Sequence, residues 1–327
     1  MATYLTYTDK VGDIQQSNRE DLTDVIYNIS PTDTPFMSTI GKSTAKGTYH
    51  EWQVDELADA VDDNAAVEGA DATAMTLNPT TRVGNRTQIS QKTIQIAGTQ
   101  EIVDKAGKKS EKAYQLAKVS AELKRDMEKA LLSNNPADAG SSASARNLGG
   151  LQTWLETNYV GTGTAGSGGT DARVEGTPAA FTEDMLKDAV RKAYEAGGDP
   201  TILMVTPHCK QVASTFTGIA GQRYQAPADK ATTIIGAADV YLSDFGTVSV
   251  VPNRLMADAS TSGDVAFVLD PEYASVAYLR PFQTNELART GDSEKTQLLV
   301  EYTLQVKNEA AHAIIADLKK TTTTPTP

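Results

Sequence analysis

The hydrophobic positions of this chain change period along its length, and each change predicts a different element. In "DLTDVIYNI", residues 21–29, the side chains Leu22, Val25, Ile26 and Ile29 fall at i, i+3, i+4 and i+7, one face of a helix. Pro31 ends that helix, because proline lacks an amide donor and disfavours helix in the residue before it. Pro35 is expected to block a restart and to leave Phe36 and Met37 as anchors. The joint "SPTDTPF", residues 30–36, thus reads as a stiff turn into extended chain.

"GTYHEWQVDEL" (47–57) and "TRVGNRTQISQKTIQIAG" (81–98) are rich in Thr, Val, Ile, Tyr and Trp, and predict the two strands of a long hairpin. Their alternation is imperfect and polar residues dominate, so the hairpin has little core of its own and reads as a projecting arm. The 23 residues joining the strands, 58–80, are acidic and Ala-rich. Structureless loops beyond ~12–15 residues are usually functional or mobile. From 100 to 134 there is no proline and one internal glycine, Gly107. A rough 3.6-residue stripe of Ile102, Ala106, Ala113, Ala117, Ala121, Met127 and Leu131 predicts one helix there, a rod of roughly 45–50 Å.

Further on, "ADAGSSASARNLGG" and "GTGTAGSGGTDARVEG" read as flexible loops on either side of a short helix, "LQTWLETN", anchored by Trp154. "FTEDMLKDAVRKAYEAGG" predicts an amphipathic helix with a Thr cap and a Gly197–Gly198 stop. "TILMVT" is a buried strand, and "PHCKQVASTF" a helix with Pro207 in its first turn. "DVYLSDFGTVSVVPN" and "DVAFVLD" add strands. The end is all β: "SVAYLRPF", a loop "QTNELARTGDSEK", a half-buried strand "TQLLVEYTLQV" and finally "AHAIIADL". The tail "TTTTPTP" has nothing to pack and is expected to be disordered.

Charge divides the chain more sharply than it defines the whole. The net charge is −12, but residues 1–75 carry fourteen acids against four bases, and residues 82–130 carry eleven bases against six acids. Two solvated faces account for this, and so does an acidic arm lying on a basic surface of a neighbouring copy. The acidic total argues against a protein that wraps nucleic acid with a basic face. Hydrophobic content of 39% with 22% charged residues fits a soluble globular chain. A single cysteine, Cys209, excludes an internal disulfide framework and fits a reducing compartment. No secretory leader and no membrane span is legible, so a soluble, cytosol-made protein is expected.

Catalytic motifs fail on inspection. "GTGTAG", residues 161–166, spells a dinucleotide fingerprint, but no helix follows to present its dipole to a pyrophosphate. Gly41-Lys42-Ser43 ends like a phosphate loop, yet Phe36 stands where the first glycine is required. The histidines His50, His208 and His312 are scattered, and His208–Cys209 has no second pair to complete a zinc site. Asp59, Asp62 and Asp63 lack the glycine and glutamate of a calcium loop. The sequons at Asn28 and Asn85 read as coincidence. No catalytic residue, metal or cofactor is expected.

The order of parts is informative where the motifs are not. "DLTDVIYNISPTDTPFMSTIG", "AYEAGGDPTILMVTPHCKQVASTF", "DVYLSDFGTVSVVPNRLM" and the run from "LDPEYASVAYLRPF" to "AHAIIADL" resemble tailed-phage major capsid proteins of the Hong Kong 97 fold. Within these, the likeness is to the major head protein family typified by phage SU-ten, over about residues 21–318. The resemblance implies an α+β capsid fold without enzymatic activity. Its parts would be an N-terminal arm and elbow at 1–46, an extended hairpin (the E-loop) at 47–98, and a peripheral (P) domain at 99–180 with a spine helix at 100–134. An α/β axial (A) domain would follow at 181–270, a P-domain β-segment at 271–320, and a disordered tail at 321–327.

Contacts between subunits are expected from the elbow (Pro31, Pro35, Phe36) and the arm (Trp52, Asp55, Asp59, Asp62, Asp63, Glu68, Arg82, Arg86, Lys92). A loop at 284–295 would contribute Arg289, Asp292 and Lys295, where three subunits meet. The implied partners are further copies, as pentamers and hexamers of an icosahedral head, a portal, a separate scaffolding protein and a decoration protein. Double-stranded DNA would be enclosed without sequence-specific binding, and no membrane is involved. Assembly would take place in the bacterial host cytoplasm, and the product would be the virion capsid. An encapsulin-like compartment shares the fold class. A tail or adhesion protein is disfavoured by the spine helix, and a nucleotide-dependent enzyme rests on "GTGTAG" alone.

Overall fold

The computed structural model describes residues 30–58, 60–69, 71, 74, 77, 79–105, 107–216, 239–256 and 263–320. The helix expected at 21–29, the tail, Asp59 and Ala106 lie outside them. In chain order the elements are α1 (Pro35–Thr39), β1 (Gly41–Thr44), β2 (Tyr49–Val54), β3 (Thr81–Arg86), β4 (Gln88–Ala97), α2 (Gly98–Ile102), α3 (Glu111–Leu131), α4 (Leu151–Trp154) and β5 (Tyr159–Val160). Then come α5 (Glu183–Glu195), β6 (Ile202–Val205), α6 (Pro207–Ala213), β7 (Val240–Ser243), β8 (Gly246–Pro252), β9 (Asp264–Leu269), β10 (Ala274–Leu287), β11 (Ser293–Val306) and β12 (Ala313–Leu318). Among the described residues no helix is long and apolar enough to cross a membrane.

Three sheets order these strands among the described residues: β1-β10-β11-β4, β5-β12-β9-β6-β8-β7, and the ribbon β2-β3. The strands β6, β9 and β12 of the six-stranded sheet are buried on both faces, which explains why they read as largely apolar runs. Met204, Phe267 and Ile314 face a core shared with α3, β10 and β11. Leu203, Val205, Ala266, Val268 and Ile315 face the opposite core, with Leu186 and Val190 of α5 and Cys209 of α6. The predicted Thr cap and first-turn proline hold: Thr182 accepts from Met185 N, and Pro207 opens α6, where Thr206 adds a cap by accepting from Cys209 N.

Several expectations need correction. Pro35 does not block a helix; it starts α1 from the first turn, where a missing N–H costs nothing. The predicted hairpin is shorter than expected. β3 pairs with β2, from Tyr49↔Arg86 to Val54↔Thr81, but beyond Thr87 the chain leaves the ribbon and β4 pairs with β11. The single rod at 100–134 is two helices. Gly107 takes φ +75°, left-handed backbone that glycine adopts freely, and Ser110 caps a fresh start at Glu111. That leaves α3 with 21 residues, roughly 32 Å. Its buried stripe is Val119, Leu123, Met127 and Leu131, while Ile102, Ala113 and Ala117 are exposed.

The C-terminal hairpin is longer than predicted. Residues 283–287 and 293–295, expected as loop, are strand, so only 288–292 turns. β11 is buried on both faces over 298–304 rather than half-buried; Glu301 and Tyr302 find partners inside the molecule, Glu301 with Arg146 and Arg280 and Tyr302 with Ser90. The two glycine-rich loops, expected to be flexible, carry isolated backbone bridges. Asp138 bridges to Asn147, and Thr164 to Val174. Lastly, β12, assigned with the 271–320 segment, hydrogen-bonds to β9 and so belongs to the sheet of the 181–270 segment.

Candidate assembly surfaces

The elbow is pinned from inside. Glu128 on α3 is fully buried and accepts from the backbone N–H groups of Phe36 at 2.7 Å and Met37 at 2.8 Å. Its Oε1 also accepts from Asn253 Nδ2, just past β8, at 2.8 Å. One carboxylate therefore joins the joint at 30–36, the long helix and the six-stranded sheet. Burial raises the pKa of Glu128 above the ordinary carboxylate value, and the three donors only partly offset that. Phe36, expected to anchor on a neighbour, is fully buried in its own chain's core; Pro31 and Pro35 are half-buried.

The ribbon is rooted in its own body as well. Trp52 lies against Trp154 with ring centroids 5.4 Å apart, so that indole packs within the chain. Asn85, the asparagine of an apparent sequon, is a fully buried amide donating to Gly149 O at 3.0 Å and Leu304 O at 2.8 Å. At the point where the chain leaves the ribbon, buried Glu301 pairs with Arg146 and, at 2.7 Å, with Arg280 Nε. Thr87 Oγ1 donates to the same carboxylate at 3.0 Å. Arg86 lies over the Tyr49 ring at 4.5 Å, and exposed Arg82 reaches Glu51 at 3.9 Å.

Beyond the root the chemistry faces outward. Asp55, Asp62, Asp63 and Glu68 are exposed, and so are the connector's apolar side chains: Leu57 at 95%, Val61 at 68%, Val67 at 79% and Leu77 at 82%. A complementary surface runs along α3, where Lys118, Lys124 and Lys129 are exposed. Beside it a groove of about 550 Å³ is lined by Leu116, Ala117, Ser120, Lys124, Phe282 and Leu298.

Lys92 is not part of that free surface. It bridges β4 to α3 through Glu122 at 3.2 Å and Asp126 at 2.8 Å. Burial works against its charge, but the bonds to Asp126 and Glu122 prevail and raise its pKa. Lys112 likewise ties α3 to the β10–β11 hairpin through Glu286 at 3.0 Å and Glu294 at 3.3 Å. At the hairpin tip, Arg289 pairs with Glu294 and is 72% exposed. Lys295 donates to Thr290 at 2.7 Å, and the Asp292 carbonyl accepts from Gly98 N at 3.1 Å. Arg289 and Lys295 thus have local partners, and Arg289 and Asp292 stay open to solvent.

"GTGTAG" does cradle an anion, an internal one. Asp317 Oδ2 accepts from Gly163 N at 2.8 Å, Thr162 N at 3.2 Å and Tyr159 OH at 2.9 Å, and Oδ1 from Arg173 at 2.7 Å. A Cβ on Gly163 would meet Val174 O at 2.1 Å, so the loop closes only with glycine there. Gly41-Lys42-Ser43 and His312 also serve the fold. The first is strand β1, paired in parallel with β10. His312 is fully buried, its Nδ1 accepting from Asp270 N at 3.2 Å, and burial pushes its pKa down to about 4. Burial pushes the Cys209 thiol up to about 11.

Sequence reasoning missed three of the buried carboxylates, Glu128, Glu301 and Asp317. Glu128 lies among the many charges of a helix, and Glu301 falls on the face of β11 read as solvated. Asp317 alone carried a visible signal, as the one acid in the apolar run "AIIADL".

A helix-backed pair of sheets, a projecting ribbon and an outward-facing acidic connector define a shell-building subunit of the Hong Kong 97 capsid fold. The chain matches the family model of the SU10 major capsid protein over residues 4–319 and belongs to that family: it is a phage major capsid protein. It is 27% identical over 323 residues to the major capsid protein of Escherichia phage Phieco32, covering 88% of this chain and 90% of that one. Among solved structures it is similar to the cyanophage A-1(L) capsid subunit, with a TM-score of 0.68 at 12% identity, covering 92% of this chain and 97% of the other. The SrpI encapsulin of Synechococcus elongatus PCC 7942 shares the fold at a TM-score of 0.56 and 10% identity, covering 93% and 94%.

Proposed function

We propose that copies of this chain associate as pentamers and hexamers into a closed icosahedral head, and that the acidic connector of each copy lies along α3 of a neighbour. The observation that carries this reading is the connector itself. Its described residues are all exposed, Val61, Val67 and Leu77 among them, and its carboxylates are opposite in sign to the exposed lysines of α3. A second copy supplies both the groove and the charge, and complementary fields set the register. The hairpin tip with Arg289, Asp292 and Lys295, of mixed sign, suits a symmetric meeting of copies. Enclosed double-stranded DNA touches the acidic wall weakly, across counterions. Portal, scaffold and decoration proteins complete the head in the host cytoplasm, and the subunit itself catalyses nothing.

Sedimentation of the purified protein, with electron microscopy of the fastest fraction, tests the assembly. Capsomers or closed shells support it; a small closed dimer, with or without a scaffold protein, sinks it. Deleting residues 58–80 tests the connector. Val54 and Thr81 already pair, so residues 55–57 suffice as a three-residue hairpin turn. The deletion is expected to leave a folded subunit with an unchanged thermal midpoint while its shells fall apart. An unfolded monomer would instead make the connector part of the core.

The elbow gives a third expectation. Pro31→Gly with Pro35→Gly restores freedom to the unassembled segment, each change costing roughly 0.4–1 kcal/mol through the flexible state. Assembly should slow while circular dichroism stays the same; wild-type assembly kinetics would show that the prolines do not preset the joint.

A further inference from the structure

We propose that His208, Cys209 and Asp264 form a binding site for a thiophilic divalent cation of the zinc type. One ligand atom from each lies within 4.8 Å of the other two. Zinc bonds of ~2.0–2.3 Å in a tetrahedral site place ligand atoms roughly 3.3–3.8 Å apart, so closing on an ion requires a contraction of about 1 Å. His208 is partly exposed and provides the entry path.

Three further features suit a cation here. Asp264 is buried, yet among the described residues no ion pair involves it. His208 Nδ1 is a buried atom without a hydrogen-bond partner among the described residues. The Thr206 side chain organises two of the ligands: its hydroxyl donates to Asp264 Oδ2 at 2.8 Å and accepts from Cys209 N at 3.4 Å. That bond orients the carboxylate and leaves its other oxygen for the ion, the usual task of groups just outside a metal's ligands. A neutral imidazole, a thiolate and a carboxylate balance a divalent charge, with a fourth position for water. The sequence showed only the adjacent pair; β9 brings the third ligand from 55 residues further along the chain. The ion would clamp the start of α6 to β9, a role independent of how the shells assemble.

Cobalt(II) titration of the chelator-treated full-length chain tests the site. Cys209 is the only cysteine, so a thiolate-to-cobalt charge-transfer band reports it directly. One equivalent should saturate the band, and zinc should displace it. His208→Ala, at a half-exposed position, and Asp264→Asn should each weaken binding at least about tenfold, with circular dichroism confirming that each variant folds. Absence of the band in the wild-type chain would overturn the proposal, as would wild-type affinity in both variants, since the thiol would then bind cobalt unaided.

Discussion

Glu128→Ala is expected to destabilise the subunit by about 3–5 kcal/mol and to speed hydrogen exchange at the Phe36 and Met37 amides. The substitution leaves those two backbone donors and Asn253 Nδ2 without their acceptor in a dry core. Each stranded donor costs about 1–3 kcal/mol, partly offset because a charge no longer has to be desolvated. Glu128→Gln keeps the shape but turns an N–H donor toward one of those donors, so it should fall between wild type and alanine. The pH dependence has a definite sign. Burial raises the folded pKa of Glu128 above 4.5, so the unfolded state releases this proton first. Its contribution is full below that value and declines as pH rises through the raised one. The gap between wild type and Glu128→Gln should therefore be larger on the acid side. Denaturant unfolding across that range measures it, and a wild-type midpoint for Glu128→Ala would mean that the elbow is held by Phe36 packing alone.

What the sequence disclosed follows the range of the forces involved. α5 and α6 were legible because a Thr cap and, in α6, a first-turn proline act within four residues. β6, β9 and β12 were legible because burial on both faces leaves a largely apolar run. The transfer of β4 from the ribbon to β11 was not. Its ten residues pair with a partner some two hundred positions away, and only that register decides which sheet it joins. The break at 103–110 was hidden for a different reason: without proline, it shows only as Gly107, which a helix tolerates at a modest cost.

The assembly surface divides along the same line. Exposed acids of the connector were readable as a charge imbalance. Trp52, Phe36 and Lys92 look equally suited to a contact between copies, yet the fold uses them inside one copy, against Trp154, the main core and α3. A large or charged side chain states its chemistry in the sequence but not whose surface it serves.

Asp317 offers the sharpest separation of charge from shape. It sits at φ +58°, left-handed backbone that Asp and Asn tolerate better than other side chains, and it is buried with Arg173. Asp317→Asn should thus keep the backbone and the cradle of residues 161–166 while removing the charge, leaving Arg173 unpaired in the interior. The expected loss is about 3–5 kcal/mol, typical of breaking one side of a buried pair. Asp317→Ala should lose more, since backbone strain is added. Acid titration isolates the electrostatic part. Burial alone would raise this carboxyl, but the Gly176 and Gly163 amides, Tyr159 and Arg173 together hold its pKa below 3.8. The unfolded chain therefore takes up this proton first as pH falls, and the stability Asp317 contributes above 3.8 disappears as pH drops through its depressed value. Wild-type and Asp317→Asn unfolding free energies should differ most at neutral pH and converge in strong acid. A gap that stays constant with pH would mean that the loop is held by its backbone geometry, with the carboxylate's charge irrelevant to it.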